Sequence, residues 1–177
     1  MSASDGNFVP PLGQRSLTPN IIAPDGSEIR FSVDASQGAT KSSVVEVTLA
    51  PGEVTRPVRH QTVEEIWHVL EGAGQVWRCP PGVPPETVTA VSVSTGDALV
   101  IPTGWAFQFA ADSTTPFRFL CHTTPPWPGE NEAVPLEYGG LGDATVLGHS
   151  LPWQSRKLDN KFLRVLYSDL QTNMFKG

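Results

Sequence analysis

The chain predicts an all-β protein, an antiparallel sandwich or barrel, and three observations carry that prediction. β-Branched and aromatic residues gather in short runs, which suits half-buried strands. Seventeen Pro and sixteen Gly break those runs at close intervals, as turns do. A length of 177 residues with 39% hydrophobic and 17% charged residues is enough for one domain with a core of its own.

Taken in order, residues 1–22 are polar with few periodic apolar positions and read as an arm across the barrel. Strands are predicted over Ile29 to Val33, Ser43 to Leu49, Glu65 to Leu70, Gly74 to Arg78, Thr87 to Val93, Ala98 to Ile101, Phe107 to Ala110 and Pro116 to Cys121. Between two of them PPGVPP, Pro80 to Pro85, forms a stiff extended hairpin loop. In TPPWPGENEA, Thr124 to Ala133, three prolines hold Trp127 on a stiff scaffold from which it can close the barrel mouth. From Asp159 to Met174, Phe162, Leu163, Val165, Leu166 and Leu170 recur at spacings near three and four behind Asp159 as cap, so a short amphipathic helix is expected. The expected division is an arm over 1–22, a barrel over 23–136 and an extension over 137–177 that packs on the barrel or at a dimer interface.

A net charge of −6 argues against nucleic acid as partner, because phosphate binding needs a basic face. No long apolar run and no charged-then-apolar leader is visible, so a soluble cytoplasmic protein without a membrane span is expected. Cys79 and Cys121 read as free thiols in a reducing compartment.

Two stretches carry the chemistry. From Gly52 the chain runs five residues to Val58, then Arg59, His60, four residues to Glu65 and six to Gly72. From Gly96 it runs five residues to Pro102, then Thr103, Gly104, two residues to Phe107 and three to Ala111. These spacings resemble the two motifs of the cupin superfamily, jelly-roll barrels whose pocket usually holds a divalent metal on three His and one Glu. The resemblance covers about Ala23 to Pro135, and implies a double-stranded β-helix. His60, Glu65 and the Gly and Pro landmarks match; Val58 and Phe107 stand where ligand histidines would, and Ala111 where an Asn would. The segments RHQTVEEIW, FQF and PPWPG together resemble small bacterial single-domain cupins.

Strand alternation turns Glu65, Trp67 and Val69 inward and Glu64, Ile66 and His68 outward. His60 and Glu65 are therefore the candidate catalytic pair, with Trp67, Trp105, Phe107, Gln108, Phe109 and Trp127 as candidate pocket walls suited to a planar or aromatic small-molecule substrate. Arg59 reads as an outer cation, and Arg56 as an anion clamp near the mouth. A divalent metal, iron, manganese, nickel or zinc, would take His60, Glu65 and a third donor, Gln108 after a strand bulge or His122. Without a metal, His60 and Glu65 suit acid/base chemistry: a lyase, isomerase or cyclase of specialised metabolism. A metal-dependent oxygenase and a non-catalytic ligand-binding cupin are the alternatives, and a homodimer is expected from the edges and arms of such barrels.

Overall fold

The computed structural model describes residues 9–129 and 131–146. Eleven strands, β1 (Ile21–Ile22), β2 (Glu28–Val33), β3 (Ser43–Leu49), β4 (Val58–His60), β5 (Glu64–Glu71), β6 (Ala73–Cys79), β7 (Val91–Ser94), β8 (Ala98–Ile101), β9 (Ala106–Ala111), β10 (Phe117–Thr124) and β11 (Ala133–Pro135), form two antiparallel sheets. The six-stranded sheet runs β1-β2-β3-β10-β5-β8, and the five-stranded sheet β11-β4-β9-β6-β7. The all-β barrel expected from the sequence is the fold observed.

Each sheet turns one side of its strands toward the other. In β5, buried Glu65, Trp67 and Val69 alternate with exposed Glu64, Ile66 and His68. Cross-strand register then builds the interior in rows: Val45, Cys121, Trp67 and Leu99 are successive partners across the larger sheet. Phe107 and Phe109 of β9 meet them from the smaller one, beside Val58 and Val76. Burial of these large side chains supplies the main stabilisation of the barrel.

The motif glycines are turn residues. Gly72 has φ of 77° between β5 and β6, and a Cβ there would run into the carbonyl of Pro116, so only glycine fits. Three short strands, β1, β4 and β11, were not expected. The predicted strand over Thr87 to Val93 shortens to β7, because Pro85–Thr87 forms a 3-10 turn closed by Thr87 donating to the Pro84 carbonyl. The amphipathic helix expected over Asp159 to Met174 lies outside the described residues. Among the described residues no helix is long and apolar enough to cross a membrane.

Candidate functional site

Strand β4 is only three residues long, and its alternation is buried, exposed, buried: Val58 and His60 face in, Arg59 faces out. It is held on both sides, Val58 opposite Phe107 of β9 and His60 opposite Ala133 of β11. The turn that follows is pinned by the buried carboxylate of Glu132. It accepts from the Thr62 and Val63 amides at 2.6 and 2.8 Å and from the Thr62 hydroxyl at 2.8 Å. Burial pushes the Glu132 carboxyl up, but these donors and the charge of His60 outweigh it and hold the group below the usual carboxylate range. This clamp fixes the turn that leads from β4 into β5.

His60 at the end of β4 and Glu65 in β5 come together across this turn, 5% and 6% exposed. Glu65 Oε2 accepts from the Trp67 indole N–H at 2.8 Å, and Oε1 lies 3.5 Å from His60 Nδ1. The latter separation is an ion-pair distance, too long for a good hydrogen bond, and Nδ1 has no hydrogen-bond partner. The His60 ring meets the edges of Phe107 and Trp127, each with centroids 5.0 Å apart. Trp67 stacks on Phe119 at 4.1 Å and meets Phe107 and Phe109 edge-on. Half-buried Trp127 is fixed through its backbone, whose N–H donates to Ser43 Oγ at 3.1 Å, itself 2.6 Å from Thr123 Oγ1. Trp105 is half-buried at the entry to β9 and, among the described residues, makes no ring contact with this group.

Sequence reasoning missed three members. Cys121, the cross-strand partner of Trp67, is buried beside Glu65; burial first, then the neighbouring carboxylate, pushes its thiol well above the ordinary range. Alternation along β10, where Phe117, Phe119, Cys121 and Thr123 are buried, was the signal for it. Asp25 sits in the turn between β1 and β2 and accepts from the Ser27 amide and hydroxyl at 2.9 and 2.7 Å. Burial raises its pKa above 3.8 and the charge of Glu65 adds to that, while the Ser27 donors and His60 oppose it. Its Pro-Asp-Gly context signalled only a turn. Glu132 is the third, hidden in a segment that reads as loop.

Gln108 does not join the pair. β9 is regular at this point, so Phe107 and Phe109 face the interior and Gln108 faces away, buried under the segment after β11. Its amide N–H groups donate to the Thr55 and Gly142 carbonyls at 2.9 Å each, and its oxygen accepts from the Leu141 amide at 2.8 Å. Gly139 and Gly140 pack so closely on Gln108 and Trp77 that a Cβ at either would collide. The proposed bulge is absent, and Gln108 is a structural clamp. His122 and His68 also lie on the outward side of their strands. A cavity of about 320 Å3, bordered by Arg56, Pro57, Leu136, Tyr138 and Asp143, opens beside this segment. It is away from the ionisable pair, and we take the convergence of buried ionisable groups, not hollow volume, as the mark of the site.

A family model for the cupin domain matches residues 45–123, from β3 to the end of β10. Over these residues the chain is similar to the cupin superfamily. Solved cupin-fold structures agree. The polyketide cyclase RemF from Streptomyces resistomycificus superposes with a TM-score of 0.53 at 22% identity, over 72% of this chain and 82% of that one. A Streptomyces PAC13 variant with uridine gives 0.51 at 12% identity, over 72% and 87%. The coconut allergen cocosin gives 0.51 at 17%, over 60% and 28%. A cyclase and an allergen on one barrel show a shared fold and nothing about shared chemistry. No curated protein matches this chain in sequence.

The metal that many cupins carry does not fit the donors present here. Val58 and Phe107 fill two ligand positions with hydrocarbon, 1% and 2% exposed, and Gln108 is committed on the other side of β9. Among the described residues no three His, Cys, Asp or Glu side chains converge as ligands. His60 and Glu65 alone leave a divalent ion short of its ordinary coordination number.

Proposed function

We propose that this chain is a small-molecule enzyme of the acid/base type, a lyase, isomerase or cyclase, acting at His60 and Glu65 beneath Trp127. One observation carries the reading: a carboxylate locked by an indole N–H presents its second oxygen to the imidazole of His60 inside an aromatic wall. The Glu65 charge 3.5 Å away favours a proton on Nδ1 while Phe107 and Trp127 pack on the ring, which leaves Nε2 to exchange a proton with substrate. Nε2 takes a proton from a carbon next to a carbonyl, and the electron pair moves onto the carbonyl oxygen as an enolate. The imidazolium then returns that proton to another carbon, giving isomerisation, or to a departing hydroxyl, giving dehydration. The edges of Phe107 and Trp127 suit a flat substrate. Its fold relatives include a polyketide cyclase and a uridine complex, so this barrel fold accommodates small molecules.

A second reading, a non-catalytic small-ligand binder, is favoured by His60 Nδ1, which no hydrogen bond orients for proton transfer. The two separate in deuterated water with a panel of flat carbonyl compounds. Binding to wild type is followed by thermal shift, and exchange of the acidic carbon-bound hydrogen by NMR. Catalysed exchange should fall about 100-fold or more in His60→Ala and less in Glu65→Gln. Undiminished exchange in His60→Ala overturns the enzyme reading, and tight binding with no exchange establishes the binder.

A further inference from the structure

Four of the strands carry an arginine, and three of these side chains face away from the barrel interior. Arg59 is the exposed middle residue of β4, and Arg30 and Arg118 are held by Glu28, Glu46 and Glu71 on the outer side of the larger sheet. Arg78 of β6 differs. It is the cross-strand partner of Phe107, which is itself the partner of Val58, and directly opposed residues share one side of a sheet. Val58 and Phe107 face the interior, so Arg78 does too, while Trp77 beside it shares the outer side with Gln108. The half-buried Arg78 side chain reaches from the smaller sheet to the larger, where Nη1 donates to the Val100 carbonyl of β8 at 2.7 Å. That anchor is one residue from Ile101, the cross-strand partner of Glu65. Phe107, between Arg78 and β4, meets the His60 ring edge-on at 5.0 Å.

Among the described residues Arg78 has no carboxylate partner, and the bond to Val100 is its single side-chain hydrogen bond. Its other guanidinium N–H groups are left for whatever enters beside Phe107, and a guanidinium offers paired donors that match a carboxylate. The charge balance agrees. With His60 neutral, Glu65 and Arg78 cancel, so a monoanion is met by one cation, whereas a phosphate dianion would bring two charges towards Glu65 with the same single cation to meet them. Proton abstraction by His60 Nε2 also puts negative charge on a carbonyl oxygen, and a fixed cation close to that charge lowers the barrier. We infer that Arg78 is the anion-recognition residue of this site, and that its substrate class is a flat, enolisable carbonyl compound carrying one carboxylate. The carboxylate sits on Arg78 and the acidic carbon–hydrogen bond faces His60. Two strand spacings and two residue steps separate the Arg78 and His60 backbones, roughly 12 Å, a gap that the two side chains and a one-ring molecule span together. This inference rests on the acid/base reading of His60 and Glu65.

The test uses two probes that share a ring and an enolisable methylene and differ in one group: phenylpyruvate, with a carboxylate, and phenylacetone, with a methyl in its place. Dissociation constants are measured on the full-length chain by ligand-observed NMR in deuterated water, and exchange of the methylene hydrogens is followed in the same samples. Wild type should hold phenylpyruvate about 10-fold or more tighter than phenylacetone. Arg78→Gln should erase that preference, Arg78→Lys should retain part of it, and added salt should shrink it in wild type. His60→Ala should lose exchange and keep the preference. A wild type with no preference for the acid overturns the inference, as does a preference that survives in folded Arg78→Gln. Should Arg78→Gln not fold, Arg78→Lys and the salt series decide, and a preference insensitive to both overturns the inference. A preference that follows Arg78, with exchange undiminished in His60→Ala, leaves the carboxylate site standing and overturns the acid/base reading alone.

Discussion

β5 and β9 carry the two cupin motifs, and each keeps its Gly landmarks while treating its polar residues in opposite ways. β5 sends Glu65 and the Trp67 indole N–H inward, where they engage each other and approach His60. β9 sends Phe107 and Phe109 inward and its polar Gln108 outward, where two hydrogen bonds hold the segment after β11 and a third reaches the Thr55 carbonyl. One strand has kept its chemistry inside; the other has filled its inside with hydrocarbon and uses its amide as a fastener. The landmarks set where the backbone turns, and they leave open what each inward position carries.

The largest effect should come from the β5 side. Trp67→Ala removes a ring that touches Phe107, Phe109 and Phe119 and frees Glu65, so a loss of about 3–5 kcal/mol in urea unfolding is expected. A loss below about 1 kcal/mol would show that the indole is not part of the packed interior. On the β9 side, Gln108→Leu leaves two carbonyls and one amide without partners and should cost about 1–3 kcal/mol. The contrast between the strands is broken most directly by grafting ligands. Val58→His with Phe107→His should take up stoichiometric divalent metal on dialysis, whereas Gln108→His should take up none. Metal bound by the Gln108 variant would sink the assignment of its side to the exterior.

Protonation sharpens the same comparison with two opposite signs. Asp25 has its folded pKa raised above 3.8, so the folded state holds its proton more tightly. Its burial weakens the fold as pH rises past that value, and the effect is absent below it. Asp25→Asn should therefore be more stable than wild type at pH 7 and lose that advantage by pH 3; an advantage that grows on acidification contradicts this. On the outer face Glu46 is held below 4.5: burial pushes it up, but Arg15 and Arg118 outweigh that. Its contribution is present above 4.5 and lost as pH falls through the lowered value. Glu46→Gln should be the smallest change, under about 1 kcal/mol and shrinking in high salt, as chemical denaturation at two salt concentrations can show.

Much of the barrel was legible because β-structure writes itself in period-two alternation and turn residues. β3 and β8 fall where the runs of Val, Leu and Ile placed them. β4 and β11 were not legible, since three residues give alternation no room and their pairing depends on chain segments some 70 residues apart. At the site, the inward positions of Glu65 and Trp67 followed from spacing, and so did the loss of ligands at Val58 and Phe107. Gln108 was misjudged because nothing local in FQF reveals that a Gly139-Gly140 segment will cover its side of the sheet. Asp25 stayed hidden for a related reason: a turn aspartate looks solvated until tertiary packing buries it.

Trp127 adds a kinetic consequence. Its ring lies against His60 while its backbone N–H is tied to Ser43, so the indole can swing only about its side-chain bonds. A molecule reaching His60 from that side must wait for the swing. Association rates should then be slow and alike for ligands of very different affinity, with affinity differences appearing in how long each stays.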